Sequence, residues 1–248
     1  MLRKRLVAVL TFNEGVLCRT KQFEPDYRYT QNFIDNKFID EIILLDISRN
    51  RNHSKEKFYE IVTRFAEKCF VPITVGGGIE NVSEVEKLLR LGADKISINT
   101  IAHKSPEVVS QLAEIYGAQC IVISIDSKKE NDNYYSFIDN GKLNTGIKVI
   151  DWARRIEELG AGEILLNSIE KDGSLEGYDN ELNSLVTRDV NIPTIVCGGA
   201  GKWKDFVDGI NIGGASAVGT TNIYHFTETS IKSAKKYMAK KSIEVRMD

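Results

Sequence analysis

Two glycine-rich runs carry the most legible chemistry in the sequence. Val75-Gly-Gly-Gly-Ile and Cys197-Gly-Gly-Ala-Gly each close a short β-branched stretch. Each is followed by a second stretch ending in small polar residues, Ser97-Ile98-Asn99-Thr100 and Gly219-Thr220-Thr221-Asn222. Glycine lets a backbone come close to a phosphate, and a helix starting just beyond offers free N–H groups and a positive dipole end. A tight strand-to-helix turn also uses glycine, and for one run alone the two readings balance. The runs recur at an offset of 198 − 76 = 122, and the dipeptides Gly92-Ala93 and Gly214-Ala215 repeat it, 214 − 92 = 122. Two matched sites suit a substrate with a phosphate at each end.

Acid–base chemistry has one clear candidate. Asp126 closes the apolar run Cys120–Asp126 (CIVISID). The matching end of the first run, Arg5–Thr11 (RLVAVLT), carries Thr11, whose hydroxyl cannot serve as a carboxylate base near neutral pH. Asp46 ends the second run, either as a secondary polar group of the site or as a strand-end cap. At the opposite ends, Arg5, Glu41, Lys95 and Glu163 open the first, second, fourth and sixth runs. Two cations and two anions placed so can close into a salt-bridged ring; singly, each is an ordinary solvated charge. His53, His103 and His225 have no metal-ligand spacing and read as loop or surface residues. Cys18, Cys69, Cys120 and Cys197 lie far apart without a CxxC, which fits reduced thiols in a cytoplasmic protein. Neither a metal nor a cofactor is implied.

The elements that must position these residues alternate along the whole chain. Strands are expected at 5–11, 41–47, 73–75, 95–99, 120–126, 163–167, 194–197 and 217–221. Their near-continuous apolar character is that of parallel strands covered on both faces. Between them lie amphipathic patterns, including 56–68, 83–91 after an Asn81 cap, a segment opened by Ser105-Pro106, 151–159 and 228–240. Trp152 and Trp203 fall in helices, and the lysine-rich KSAKKYMAKK reads as a solvated helix face. Eight strands in 248 residues give 248/8 = 31 per unit, the size of a βα unit. The pattern is that of a single (β/α)8 TIM barrel, α/β in class, with half-barrel repeats at about 1–118 and 119–248. From Thr11 to Asp126 the offset is 115, so seven extra residues lie in the second half's first loop, where Asn140-Gly141 suggests a hairpin. A doubly wound nucleotide-binding sheet is disfavoured, because Gly76-Gly77-Gly78 fails the GxGxxG spacing. With 33 Lys+Arg against 35 Asp+Glu, nucleic acid is not an expected partner. No run of about 18 apolar residues marks a membrane span, and the basic start MLRKRLVAVLTF reads as a strand, not a signal peptide.

The segments LLDIS, PITVGGGIENVSEV, LGADKISINT, IVISID, LNTGI, LGAGEILLNSIEKDGSLEGYD and CGGAG, with the closing HF, occur in an order and spacing that resemble the cyclase subunit of imidazole glycerol phosphate synthase across nearly the full chain. The resemblance implies a heterodimer with a glutaminase docked on the N-terminal face of the barrel. It implies ammonia delivered through the barrel, and cleavage and cyclisation of a bis-phosphorylated aminoimidazole-carboxamide ribonucleotide. Gly78, Asn99 and Thr100 match one phosphate site of that family. Asp172, Gly173, Gly199 and Asn222 match the other, with Asn222 where the family usually has Ser. Arg5, Glu41, Lys95 and Glu163 match its ammonia gate, and Asp94 a residue of its glutaminase interface.

The family uses aspartates at the ends of the first and fifth strands as general base and acid. Asp126 keeps the second; Thr11 replaces the first. Arg19 stands for a usual Lys, and Asn167 for a usual Thr. The expectation is therefore a diverged paralogue that passes ammonia to a non-histidine acceptor, such as a bacterial surface sugar undergoing amidination. The alternatives are an ordinary cyclase, with Thr11 compensated by Asp46 or a water, and a non-catalytic conduit that activates the glutaminase.

Overall fold

The computed structural model describes residues 3–28, 38–49, 54–221 and 230–247. His53, His225, Asn222 and the expected helix start at 228 lie outside them. Eight parallel strands close on themselves: β1 (Arg5–Asn13), β4 (Glu41–Asp46), β5 (Ile73–Gly76), β6 (Lys95–Ile98), β7 (Ile121–Glu130), β10 (Glu163–Ser168), β11 (Thr194–Cys197) and β12 (Ala217–Thr220). They pair in that order, with β12 beside β1, and β7 pairing β10 directly across the chain's midpoint. Around them stand α1 (Lys55–Lys68), α2 (Val82–Arg90), α3 (Thr100–Lys104), α4 (Glu107–Tyr116), α5 (Val149–Glu158), α6 (Asn180–Thr187), α7 (Trp203–Asn211) and α8 (Ser230–Lys240). Among the described residues no helix is long and apolar enough to cross a membrane.

Strand alternation decides what reaches the lumen. Along β1, Leu6, Ala8, Leu10 and Phe12 belong to the large apolar layer between strands and helices. Val7 and Val9 join Ile43, Val122, Leu165, Ile195, Cys197 and Ala217 in a second cluster inside the barrel. The lumen-facing row of β1 is thus Arg5, Val7, Val9, Thr11, with a charge at one end and a hydroxyl at the other. The same period produces Lys95-Ser97-Asn99, Val122-Ser124-Asp126 and Glu163-Leu165-Asn167. At about 3.3 Å per residue, the two ends of such a row lie roughly 13–20 Å apart.

Two strands run further than expected, because each continues into an antiparallel hairpin above the barrel. β1 pairs β2 (Val16–Lys21), which pairs β3 (Glu24–Arg28). β7 pairs β8 (Asn133–Ile138), which pairs β9 (Leu143–Lys148). The second hairpin turns at Asp139, Asn140 and Gly141, all with positive φ, in keeping with the Asn140-Gly141 turn signal. The Asn81 cap is present, its side chain accepting from Glu84 N at 3.0 Å. Two surface expectations are corrected. Lys235 is buried, its Nζ 2.5 Å from Asp40 Oδ1 across the barrel's lower edge. His103 lies in α3, stacked on buried Trp152 with ring centroids 3.9 Å apart. Trp203 is partly exposed and packs on Tyr237.

Candidate functional site

A cavity of about 890 Å³ opens at the C-terminal ends of the strands, between the two hairpins. The residues expected to do chemistry converge there: Thr11, Gly78, Asn99, Thr100, Asp126, Asp172, Gly173 and Gly199 all line it. Lumen alternation brings Asp126 up the inner wall of β7, where it is nearly buried. Its Oδ1 accepts from Asn167 Nδ2 at 2.9 Å and Ser124 Oγ at 3.2 Å. Its Oδ2 accepts from Asn99 Nδ2 at 2.9 Å. Burial pushes the carboxyl up to about 6, partly offset by these donors, while nearby Asp172 adds to the rise. A carboxyl at that value exchanges protons close to neutrality, as general acid–base chemistry requires.

Thr11 is buried at the equivalent height on β1, paired with Cys18 of β2. Its Oγ1 donates to the Cys18 carbonyl at 2.6 Å, so its proton is held by the hairpin. Asp46 is buried and caps the end of β4, its Oδ1 accepting from Ser48 N at 2.9 Å. Asp172 faces the tip of the first hairpin. Its carboxylate accepts from Phe23 N at 3.0 Å and its carbonyl from Gln22 N at 3.2 Å. Burial also raises its carboxyl above the ordinary range. Arg19 pairs with Asp26 inside that hairpin.

The glycine runs are required by packing of the backbone itself. At Gly77, φ is +92°, and a Cβ would stand 2.1 Å from the Asp46 carbonyl oxygen. At Gly199, φ is +103°, and a Cβ would meet the Gly177 carbonyl oxygen at 2.2 Å. Turn geometry thus explains these two positions, and both glycines line the cavity. Asn99 directs its side chain to Asp126 and to the Phe137 carbonyl at 3.1 Å, not to the rim. Thr100 Oγ1 accepts from Asp139 N at 3.2 Å. Ser124 belongs to the site without having been expected there, although its place two residues before Asp126 in CIVISID puts it on the same strand face.

At the lower mouth, the four strand-start charges form a closed ring. Arg5 Nη1 bonds Glu41 Oε2 at 2.5 Å, and Arg5 Nη2 bonds Glu163 Oε1. Lys95 Nζ reaches Glu41 Oε1 at 3.0 Å and Glu163 Oε2 at 2.8 Å. Thr74 Oγ1 adds a bond to Glu41 Oε1 at 2.8 Å. Both glutamates are buried, so the ring is desolvated on its anionic side. Asp94, next to Lys95, accepts from Ile73 N at 2.8 Å.

Comparison with known proteins agrees with this architecture. Residues 8–230 match the model of a family described as histidine biosynthesis protein. The chain is 40% identical over 254 residues to imidazole glycerol phosphate synthase subunit HisF of Clostridium botulinum (strain Kyoto / Type A2). It is 40% identical over 253 residues to the subunit of the same name from Natranaerobius thermophilus, and 38% over 254 to that of Hydrogenobaculum sp.. Each comparison spans the whole of both chains. An eight-stranded barrel and full-length identity of this order place the chain in the histidine biosynthesis family, with the cyclase-type HisF subunits of imidazole glycerol phosphate synthase.

Proposed function

We propose that this barrel is the synthase subunit of a glutamine-dependent amidotransferase that acts on an acceptor other than the histidine precursor. A partner glutaminase docks on the N-terminal face over Arg5, Glu41, Lys95 and Glu163. Neutral ammonia passes this ring and the lumen to Asp126. The acceptor is phosphorylated, held at one end by Gly78, Thr100 and the backbone of Asn99, and at the other by Asp172, Gly173, Gly199 and Asn222. A surface-sugar precursor awaiting amidination fits that description.

The observation that carries the reading is the contrast between the two ends of one lumen. The lower ring is complete, and Asp126 holds a titratable carboxyl with three donors on it. At the β1 end, Thr11 offers a hydroxyl whose proton is committed to Cys18. Cyclisation by a pair of carboxylates therefore lacks its first member. A second reading rests on the same contrast: a conduit that delivers ammonia to a third enzyme.

Glutamine labelled with 15N in its amide, supplied with the cognate glutaminase and a panel of phosphorylated acceptors, separates them by mass spectrometry. A labelled product formed by the two subunits alone is the expected result. Label that enters product only after a third enzyme is added would establish the conduit. Label entering the histidine precursor at the best rate would return the chain to ordinary cyclisation.

A further inference from the structure

The helix α3 has five residues, fewer than two turns, and such a segment has little stability of its own. Its preceding residue, Asn99, makes no side-chain cap bond to it. Three tethers hold this segment against β8 and the turn that follows it. Asn99 Nδ2 donates to the Phe137 carbonyl at 3.1 Å, Asp139 N donates to Thr100 Oγ1 at 3.2 Å, and His103 Nε2 lies 2.8 Å from Ser136 Oγ. Asn99 and His103 are four residues apart, on one face of the turn, and His103 N bonds back to the Asn99 carbonyl at 3.2 Å. The His103 ring is clamped from the other side by Trp152 of α5, nearly parallel at 22°. The ring is thus gripped between a buried indole and a buried serine.

Asn99 has both amide hydrogens engaged, one on Phe137 O and one on Asp126 Oδ2. Turning the amide over would set its oxygen against two acceptors, so its orientation is decided by the position of α3 relative to β8. We propose that His103 is a positioning residue, which pins α3 to Ser136 of the second hairpin and thereby keeps the Asn99 amide on the Asp126 carboxylate. It touches neither Asp126 nor the cavity. Its consequence for catalysis rests on Asp126 being the acid–base group proposed above. The geometric claim is testable without any turnover.

The readout is the Asp126 carboxyl, titrated by 13C NMR in the intact protein. A hydrogen-bond donor on the ionised form favours it, so losing Asn99 moves the midpoint upward from about 6. The nearby charge of Asp172 also raises Asp126, and it is unchanged in every variant. Burial holds the His103 ring near 4, so its own charge does not enter the titration above that pH. His103→Phe keeps a ring on Trp152 and removes only the polar contact; Ser136→Ala removes the same contact from the other side.

Each should lower the ionised fraction of Asp126 at pH 6 from about half to about a fifth. Asn99→Ala should do at least as much, and adding His103→Phe to Asn99→Ala should change nothing further. A folded His103→Phe protein with the wild-type midpoint would reduce His103 to a packing residue. So would an additional rise in the Asn99→Ala background, since the effect would then bypass Asn99. If His103→Phe does not fold, Ser136→Ala decides by the same criteria. Failure here leaves the proposed amidotransferase activity standing, and failure of that activity leaves this linkage standing.

Discussion

Asp126→Asn is expected to remove at least about 10²–10⁴-fold of the turnover, whatever the acceptor. The substitution keeps the size of the side chain and its site on β7, where Asn167, Ser124 and Asn99 converge. It removes the proton-accepting charge. With Thr11 holding its proton on Cys18, no carboxylate at the end of β1 can take over. The wild-type rate should also depend on pH in a defined direction. With a value of about 6, Asp126 is about nine-tenths ionised at pH 7 and ready to accept a proton. Turnover should fall as pH drops through about 6, and that limb should vanish in Asp126→Asn. A pH–rate profile on the 15N-labelled reaction checks both, and a limb that persists in the variant would assign the proton transfer elsewhere.

Lys95→Ala should have the second large effect, at the other end of the lumen. Lys95 is the sole cation joining Glu41 and Glu163 besides Arg5 in the described ring. Removing it leaves two buried carboxylates sharing one guanidinium, and loss of one partner of a buried pair costs about 3 kcal/mol or more. Denaturation should therefore start earlier in urea. The functional signature is separate. Glutamine hydrolysis by the partner should continue while product per glutamine falls, because ammonia escapes at an unsealed mouth. Free ammonium salts should bypass the defect if the barrel performs the chemistry. Unchanged coupling in both Lys95→Ala and Glu163→Ala would count against passage through this ring.

Much of this architecture is legible in the amino-acid sequence. Parallel strands buried on both faces must be apolar throughout, so runs such as EIILLDI and CIVISID announce themselves, and their ends point to the mouth. The second hairpin is legible because Asn140-Gly141 advertises its turn. The first is not. Its turn at Gln22-Phe23 has positive φ at two ordinary residues, held open by Asp172 from a loop 149 positions away. Lys235 looks solvated in the sequence because its anion, Asp40, is remote along the chain. The motif around Asn99 points to a phosphate rim. Its amide orientation depends instead on Phe137, which only the hairpin brings near. His103, alone and without ligand spacing, offers no signal for the stack on Trp152.

Thr11 tests the central claim most directly. The bis-phosphorylated histidine precursor and ammonium salts should be offered to wild type, to Thr11→Asp, and to the Clostridium botulinum relative as benchmark. Wild type should turn over about 10²–10⁴-fold more slowly than the benchmark, the usual loss for one missing acid–base group. Thr11→Asp should recover a measurable part of that deficit, because Asp126 and its donors are already in place. Wild-type turnover equal to the benchmark, and no gain from Thr11→Asp, would contradict the account and make this barrel an ordinary cyclase.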